Sequence, residues 1–207
     1  MGNRATMRAD LRRDLRDEDP TNYVWTDAVL NRHIQHALDD LQAIVPRIAR
    51  LTTTVPANPQ RIDLTADVPP TFAWIEAVEY PLDRYPQRFV PFREEAGPKA
   101  YLLTDCLPAV GEEIGVWYAA RYTVDDASSD LPLVYEPSVL TGALAYACLD
   151  QAVDVVARLT PAGRGPADYR ALAEPARGQF LSQLEQLRFR AAPPMWRPSW
   201  AAERASR

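Results

Sequence analysis

The chain has 207 residues, 47% of them apolar, which is enough for one domain with a core or one domain carrying a small insertion. Its 19 prolines are nearly twice the usual share of about 5%; most lie between Val55 and Pro137 or from Pro161 onward, where they limit the length of regular elements. The net charge of −5 is unevenly spread: residues 1–16 carry +3, residues 188–207 carry +4 and the body between them −12. That distribution argues against a wholly basic nucleic-acid-binding domain.

Residues 4–16 predict a short amphipathic helix with Met7, Leu11 and Leu15 at i, i+4 and i+8. Pro20 stops it within Asp17–Pro20, because the residue before a proline is pushed out of helical geometry. After Tyr23 and Trp25 in a short loop, Thr26 is a natural N-cap, with Asp27 near the positive helix end. The next helix carries a wide apolar stripe of Val29, Leu30, Ile34, Ala37, Leu38, Leu41, Ile44 and Val45, and Pro46 ends it.

The period then shortens. Residues 51–55, 60–64, 74–80, 88–92, 100–103 and 113–122 read as strands separated by turn-rich stretches, which predicts one small antiparallel sheet of four to six strands. The last strand has bulky or apolar groups on both faces and is expected at the sheet's centre. An acidic linker, 123–136, leads to a second helical block. Pro137 suits a first turn, and Leu140, Leu144, Cys148, Ala152, Val155, Val156 and Leu159 hold helical spacing. Its Gly142, Ala143, Ala145 and Ala147 permit close packing. Residues 160–166 read as a turn. A final helix follows with Tyr169, Leu172, Ala176, Phe180, Leu184 and Leu187, and a kink or restart is expected at Pro175.

Residues 191–207 have no periodicity but contain three Pro, two Trp and three Arg. Fully extended, they reach roughly 55 Å. Disordered segments are poor in aromatics, and Trp and Arg are the residue types that most often anchor interfaces. The segment therefore reads as an extended arm that orders against a partner through Arg190, Met195, Trp196, Arg197, Trp200, Arg204 and Arg207. Both basic ends are expected to meet acidic surfaces, for example the body of a neighbouring copy. The architecture expected is α+β and mainly α. A helical bundle (1–50 and 131–190) carries an inserted small antiparallel β module (51–130) and the arm (191–207).

Chemistry is sparse. His33 and His36, with Asp40 four residues on, share a helix face that could in principle hold a metal, but two histidines and one carboxylate fit a solvated or interface face better. The pairs Glu94-Glu95, Glu112-Glu113 and Asp125-Asp126 read as solvated turn residues. Cys106 and Cys148 read as small buried apolar residues rather than a disulfide. The GRG at 163–165 lacks the lysine and preceding strand of a phosphate loop. No catalytic, cofactor-binding or metal-ligating residue is assigned, and a non-enzymatic role is expected. No apolar run approaches the ~20 residues of a membrane span. The N-terminus lacks a signal peptide's apolar core, so synthesis in the cytoplasm is expected.

The order of parts resembles a known family. An Arg-rich helix (Arg8 to Arg16), an acidic turn (Asp17 to Pro20), Trp25-Thr26-Asp27 and an amphipathic helix (Leu30 to Leu41) ending near Pro46 are similar to the opening of head-to-tail adaptor proteins of tailed bacteriophages. These are the connector, or head-completion, subunits below the portal. WIEAVEYP (74–81), EEIGVWYAARYTV (112–124) and LPLVYEPSVLTGALAYACLDQA (131–152) resemble the β insertion and the return to helices in adaptors that carry one. The length of this β region departs from many small adaptors.

The resemblance implies a structural virion subunit in the neck between head and tail, made in the host cytoplasm. It implies a homo-oligomeric ring of about twelve copies that docks on a portal protein and receives a tail or stopper protein. Genomic DNA would pass through its channel without sequence-specific binding, and no membrane is involved. The competing reading is a small soluble enzyme or ligand-binding protein with a site between sheet and helices.

Overall fold

The computed structural model describes residues 2–158 and 165–190, which form a mixed α+β structure. The described residues comprise four α-helices, one 3-10 turn and two small antiparallel sheets. Residues 2–45 and 122–190 make one compact unit, and residues 46–121 make another. Among the described residues no helix is long and apolar enough to cross a membrane.

Helix α1 (Arg4–Leu15) starts at Asn3, whose side chain accepts the Thr6 N–H while the Thr6 hydroxyl accepts the Asn3 N–H, a reciprocal cap. Arg16 ends it in the left-handed region at φ 56°. Met7, Leu11 and Leu15 face the core as their spacing predicts. Helix α2 (Asp27–Ile44) is capped by the Thr26 hydroxyl on the Val29 N–H, with Asp27 in the first turn.

The turn between these helices closes on one buried side chain. Arg12 donates to Asp17 Oδ2 at 2.8 Å, to the Trp25 carbonyl at 3.0 Å and to Asp27 Oδ1 at 2.7 Å, while the Tyr23 ring covers its guanidinium at 3.5 Å. Asp17, also buried, turns its oxygens back onto the N–H groups of Val24 and Trp25. Trp25 is thereby held in the core, its indole N–H on the Ala147 carbonyl and its ring edge-on to Tyr169.

Helix α3 (Glu136–Arg158) is the central helix of this unit and packs against α1, α2 and α4 (Pro166–Arg190). Its small residues are what allow this. A Cβ on Gly142 would lie 2.9 Å from both the Ala37 Cβ of α2 and the Phe180 ring of α4. Of the kink or restart expected at Pro175, the restart does not occur: α4 runs through it as one helix. Residues 159–164, most of the predicted 160–166 turn, lie outside the described residues.

The linker before α3 is not merely a solvated acidic stretch. Val124 and Leu131 are in the helical core, the Asp125 carbonyl accepts the Arg4 N–H, and Asp126 pairs with Arg8 at 2.9 Å. Arg8 also reaches Asn31 and Asp27, Arg13 pairs with Asp10, and Arg4 donates to Gln35. The basic helix therefore meets acidic and amide groups of its own unit, where the charge pattern alone suggested a partner.

In the β unit the expected single sheet is two. One has the order β1-β7-β3-β4, from Arg47–Thr54, Glu113–Ala120, Phe72–Glu79 and Phe89–Val90; the other has the order β2-β6-β5, from Arg61–Asp63, Lys99–Leu102 and Phe92–Glu95. The predicted 88–92 strand is divided at Pro91, which has no N–H to donate to a ladder, so Phe89–Val90 stays with the first sheet and Phe92–Glu95 joins the second. Strand β7 is central, paired with β1 without a break from Arg47↔Ala120 to Thr54↔Glu113. Ile62, Ile75, Val78, Phe92, Leu102, Ile114 and Val116, drawn from both sheets, share one apolar cluster.

Glu94 and Glu95 are strand residues, not turn residues. Glu94 accepts the Ile75 N–H where β3 is irregular, and Glu95 pairs with Arg61 at 2.9 Å. Glu79 is fully buried. Its Oε2 accepts the Trp117 indole N–H and meets Arg50 at 3.2 Å, and a Cβ on the facing Gly115 would lie 2.9 Å from Leu82, 3.2 Å from Arg50 and 3.3 Å from Glu79. Glu112 takes the Tyr80 hydroxyl and the Ala109 N–H, and Asp125 takes the N–H groups of Ala127 and Ser128, both in turns as expected. Cys148 is buried in the helical core, whereas Cys106 is exposed in the loop before β7; neither forms a disulfide.

Removing Arg12 leaves the buried Asp17 carboxylate without its charge partner. Arg12→Met should cost about 3 kcal/mol or more in urea denaturation, and Arg12→Lys should recover little, because an ammonium cannot span three acceptors. Gly142→Ala should destabilise by about 1–3 kcal/mol in the same measurement, since neither Ala37 nor Phe180 can withdraw without separating helices.

Candidate functional site

Of the predicted arm residues, Arg190 is the last residue of α4, and Met195, Trp196, Arg197, Trp200, Arg204 and Arg207 lie outside the described residues. What the described residues do form is an open groove of about 620 Å³ along α2 and α3, lined by Arg32, His33, Gln35, His36, Asp39, Tyr146, Leu149, Asp150 and Val153.

The two helices run antiparallel here, so successive turns meet in pairs. Arg32 donates to Asp150 Oδ2 at 2.7 Å, and His36 lies flat on Tyr146 with ring centroids 4.1 Å apart and planes 8° from parallel. Behind that stack, the Tyr146 hydroxyl donates to Asp40, and its ring meets Phe180 of α4 edge-on. Burial and the hydrogen bond to Asp40 push the Tyr146 phenol up to about 12, so it remains a donor. Gln35 and Gln42 both donate to Asp39, which fixes that carboxylate on the rim.

His33 departs most from its sequence reading. Its ring is 5% exposed rather than on a solvated face. Its Nε2 faces Asp150 Oδ2 at 3.4 Å without hydrogen-bonding geometry and has no hydrogen-bond partner among the described residues. Burial lowers its pKa below the ordinary 6.5, against the opposing pull of Asp150. His33, His36 and Asp40 are thus used separately: one is buried against Asp150, one stacks, and one accepts a phenol. Among the described residues no three His, Cys, Asp or Glu side chains converge to hold a metal ion.

Tyr146, Leu149, Asp150 and Val153 were not picked out from the sequence. Their spacing of i, i+3, i+4 and i+7 places them on one face of α3, and the two polar members interrupting an Ala/Gly-rich helix were the available signal.

No family model and no curated protein matches the chain. Among solved structures it is similar to a chain in the neck of an empty gene transfer agent particle computed with C6 symmetry, at 20% identity, over 84% of this chain and 87% of that one, with a TM-score of 0.29. It is also similar to a chain in the neck of a native particle computed with C12 symmetry, at 18% identity, over 81% and 86%, with a TM-score of 0.26. A chain in the virion of the native gene transfer agent particle gives 15% identity, 79% and 86% coverage and a TM-score of 0.29. At these values the functional reading rests on the chain's own residues.

The buried histidine has a pH consequence. The unfolded chain takes up a proton at about 6.5, and the folded imidazole does so only at lower pH. His33 therefore costs the fold nothing above 6.5 and costs it stability as pH falls below that value. Urea denaturation at several pH values between about 7.5 and 5 should show this decline, and His33→Gln should flatten it. An unchanged slope would assign the titration to another group.

Proposed function

We propose that the chain is a structural, non-enzymatic adaptor subunit in the neck of a tailed-phage-like particle. In this reading copies close into a ring between a portal protein and a tail or stopper protein, with DNA passing through the centre. The observation that supports it best is how the N-terminal signature is built. The Arg-rich helix, acidic turn, tryptophan and Thr-Asp cap that resemble adaptor openings are not separate features, because all of them close on Arg12. Each residue type in the signature has a structural task, which makes a chance match of composition a poor explanation.

The charge distribution supports the same reading. With α1 neutralised within its own unit, the excess negative charge of the body is left to face solvent or DNA. An acidic wall repels phosphates and lets a duplex slide rather than adhere. The remaining basic segment, at the C-terminal end, is the part suited to grip a protein partner.

Negative-stain microscopy of the purified chain, alone and mixed with portal, tests the proposal. Closed rings, or rings formed on the portal, are expected; a chain that neither assembles nor attaches overturns it. Replacing Trp196 and Trp200 together by Ala should weaken attachment by about 2 kcal/mol or more, read by titration against portal, with the melting profile unchanged.

A further inference from the structure

The α2–α3 groove has features that call for an occupant, and the chain contains a segment of matching chemistry. On the groove side, Val153 is 67% exposed, Leu149 is half-buried beside it, and exposed His36 rests on Tyr146 as an aromatic platform. Its lining carries two aspartates, Asp39 and Asp150, and one arginine, Arg32, which is already paired with Asp150. Buried His33 also lines the groove, its Nε2 facing Asp150 Oδ2 at 3.4 Å.

The groove thus suits something cationic, aromatic and rich in N–H groups. Residues 188–207 hold five Arg, two Trp and one acid. Indole and guanidinium groups both stack on aromatic rings and both donate hydrogen bonds.

We propose that the α2–α3 groove receives the C-terminal segment, residues 191–207, of a neighbouring copy. Trp196 or Trp200 lies against His36 and Val153, and an Arg from the segment meets the aspartate rim. This deepens the adaptor reading and rests on it, because it identifies one contact by which copies hold each other. Fully extended, these 17 residues span roughly 55 Å.

The test uses full-length chains. An arm variant carries Trp196→Ala and Trp200→Ala and so leaves its groove vacant. A second chain carries these two changes plus His36→Ala and Val153→Arg, both at exposed positions, so that its melting curve should match that of the first. A fluorescent peptide of residues 188–207 should bind the arm variant saturably. Binding should be weakened at least tenfold by the groove changes, by Trp→Ala in the peptide and by added salt. Sedimentation of the unmodified chain should show association that the groove changes abolish.

Absence of peptide binding, or equal binding to both chains, overturns the proposal. Peptide binding with an unmodified chain that stays monomeric at every concentration also overturns it, because the segment would then fold onto its own copy. Rings still seen on the portal after the groove changes would remove this contact while leaving the adaptor reading intact.

Discussion

The helical unit depends on a single buried guanidinium. Arg12 is withdrawn from water at the junction where α1 ends and α2 begins, and a charge there is tolerable only if its N–H groups are taken up. Asp17, Asp27 and the Trp25 carbonyl do so, and in doing so they fix the turn, the start of α2 and the depth of Trp25. Trp25 in turn holds α3 through Ala147 and α4 through Tyr169. A planar, forked cation is required, since one ammonium group cannot reach three acceptors in different directions. The acidic turn is thus the counter-charge that allows a basic helix to be packed inside.

The same economy governs α1 as a whole. Its arginines face Asp10, Asp126, Asn31 and Gln35, all within the helical unit. Exposed pairs of this kind add little stability each, but they set acidic and amide groups of the same unit against Arg4, Arg8, Arg12 and Arg13. We propose that the C-terminal basic segment is the part that meets other molecules, and the aspartate-rimmed groove offers a surface of the opposite sign.

Much of the helical unit was legible before any coordinates. Met7, Leu11 and Leu15, the α2 stripe and the small residues of α3 carry a 3.6-residue period that leaves one arrangement of buried faces. Thr26 marks a helix start because its side chain satisfies an N–H group that the helix cannot, whereas the same role of Asn3 appears only in the structure. The β region was legible as strands but not as sheets. Pairing depends on residues far apart in sequence, and the division at Pro91 turns on a missing N–H whose effect appears only once two ladders compete for the same stretch.

The site was the least legible part. His33 and His36 look equivalent three residues apart on one helix, yet one is buried and the other supports an aromatic stack, because three residues fall short of a full turn and the two rings leave α2 in different directions. Tyr146 and Asp150 acquire meaning only when set opposite Asp40 and Arg32, more than a hundred residues away. The sequence by itself determined which residues are helical, where helices start and which faces are apolar, since these follow from local periodicity and backbone hydrogen bonding. Only the tertiary structure decided which charges are spent internally, which histidine loses its water and where an acidic groove remains, because solvation and Coulomb energy depend on neighbours that the linear order does not show.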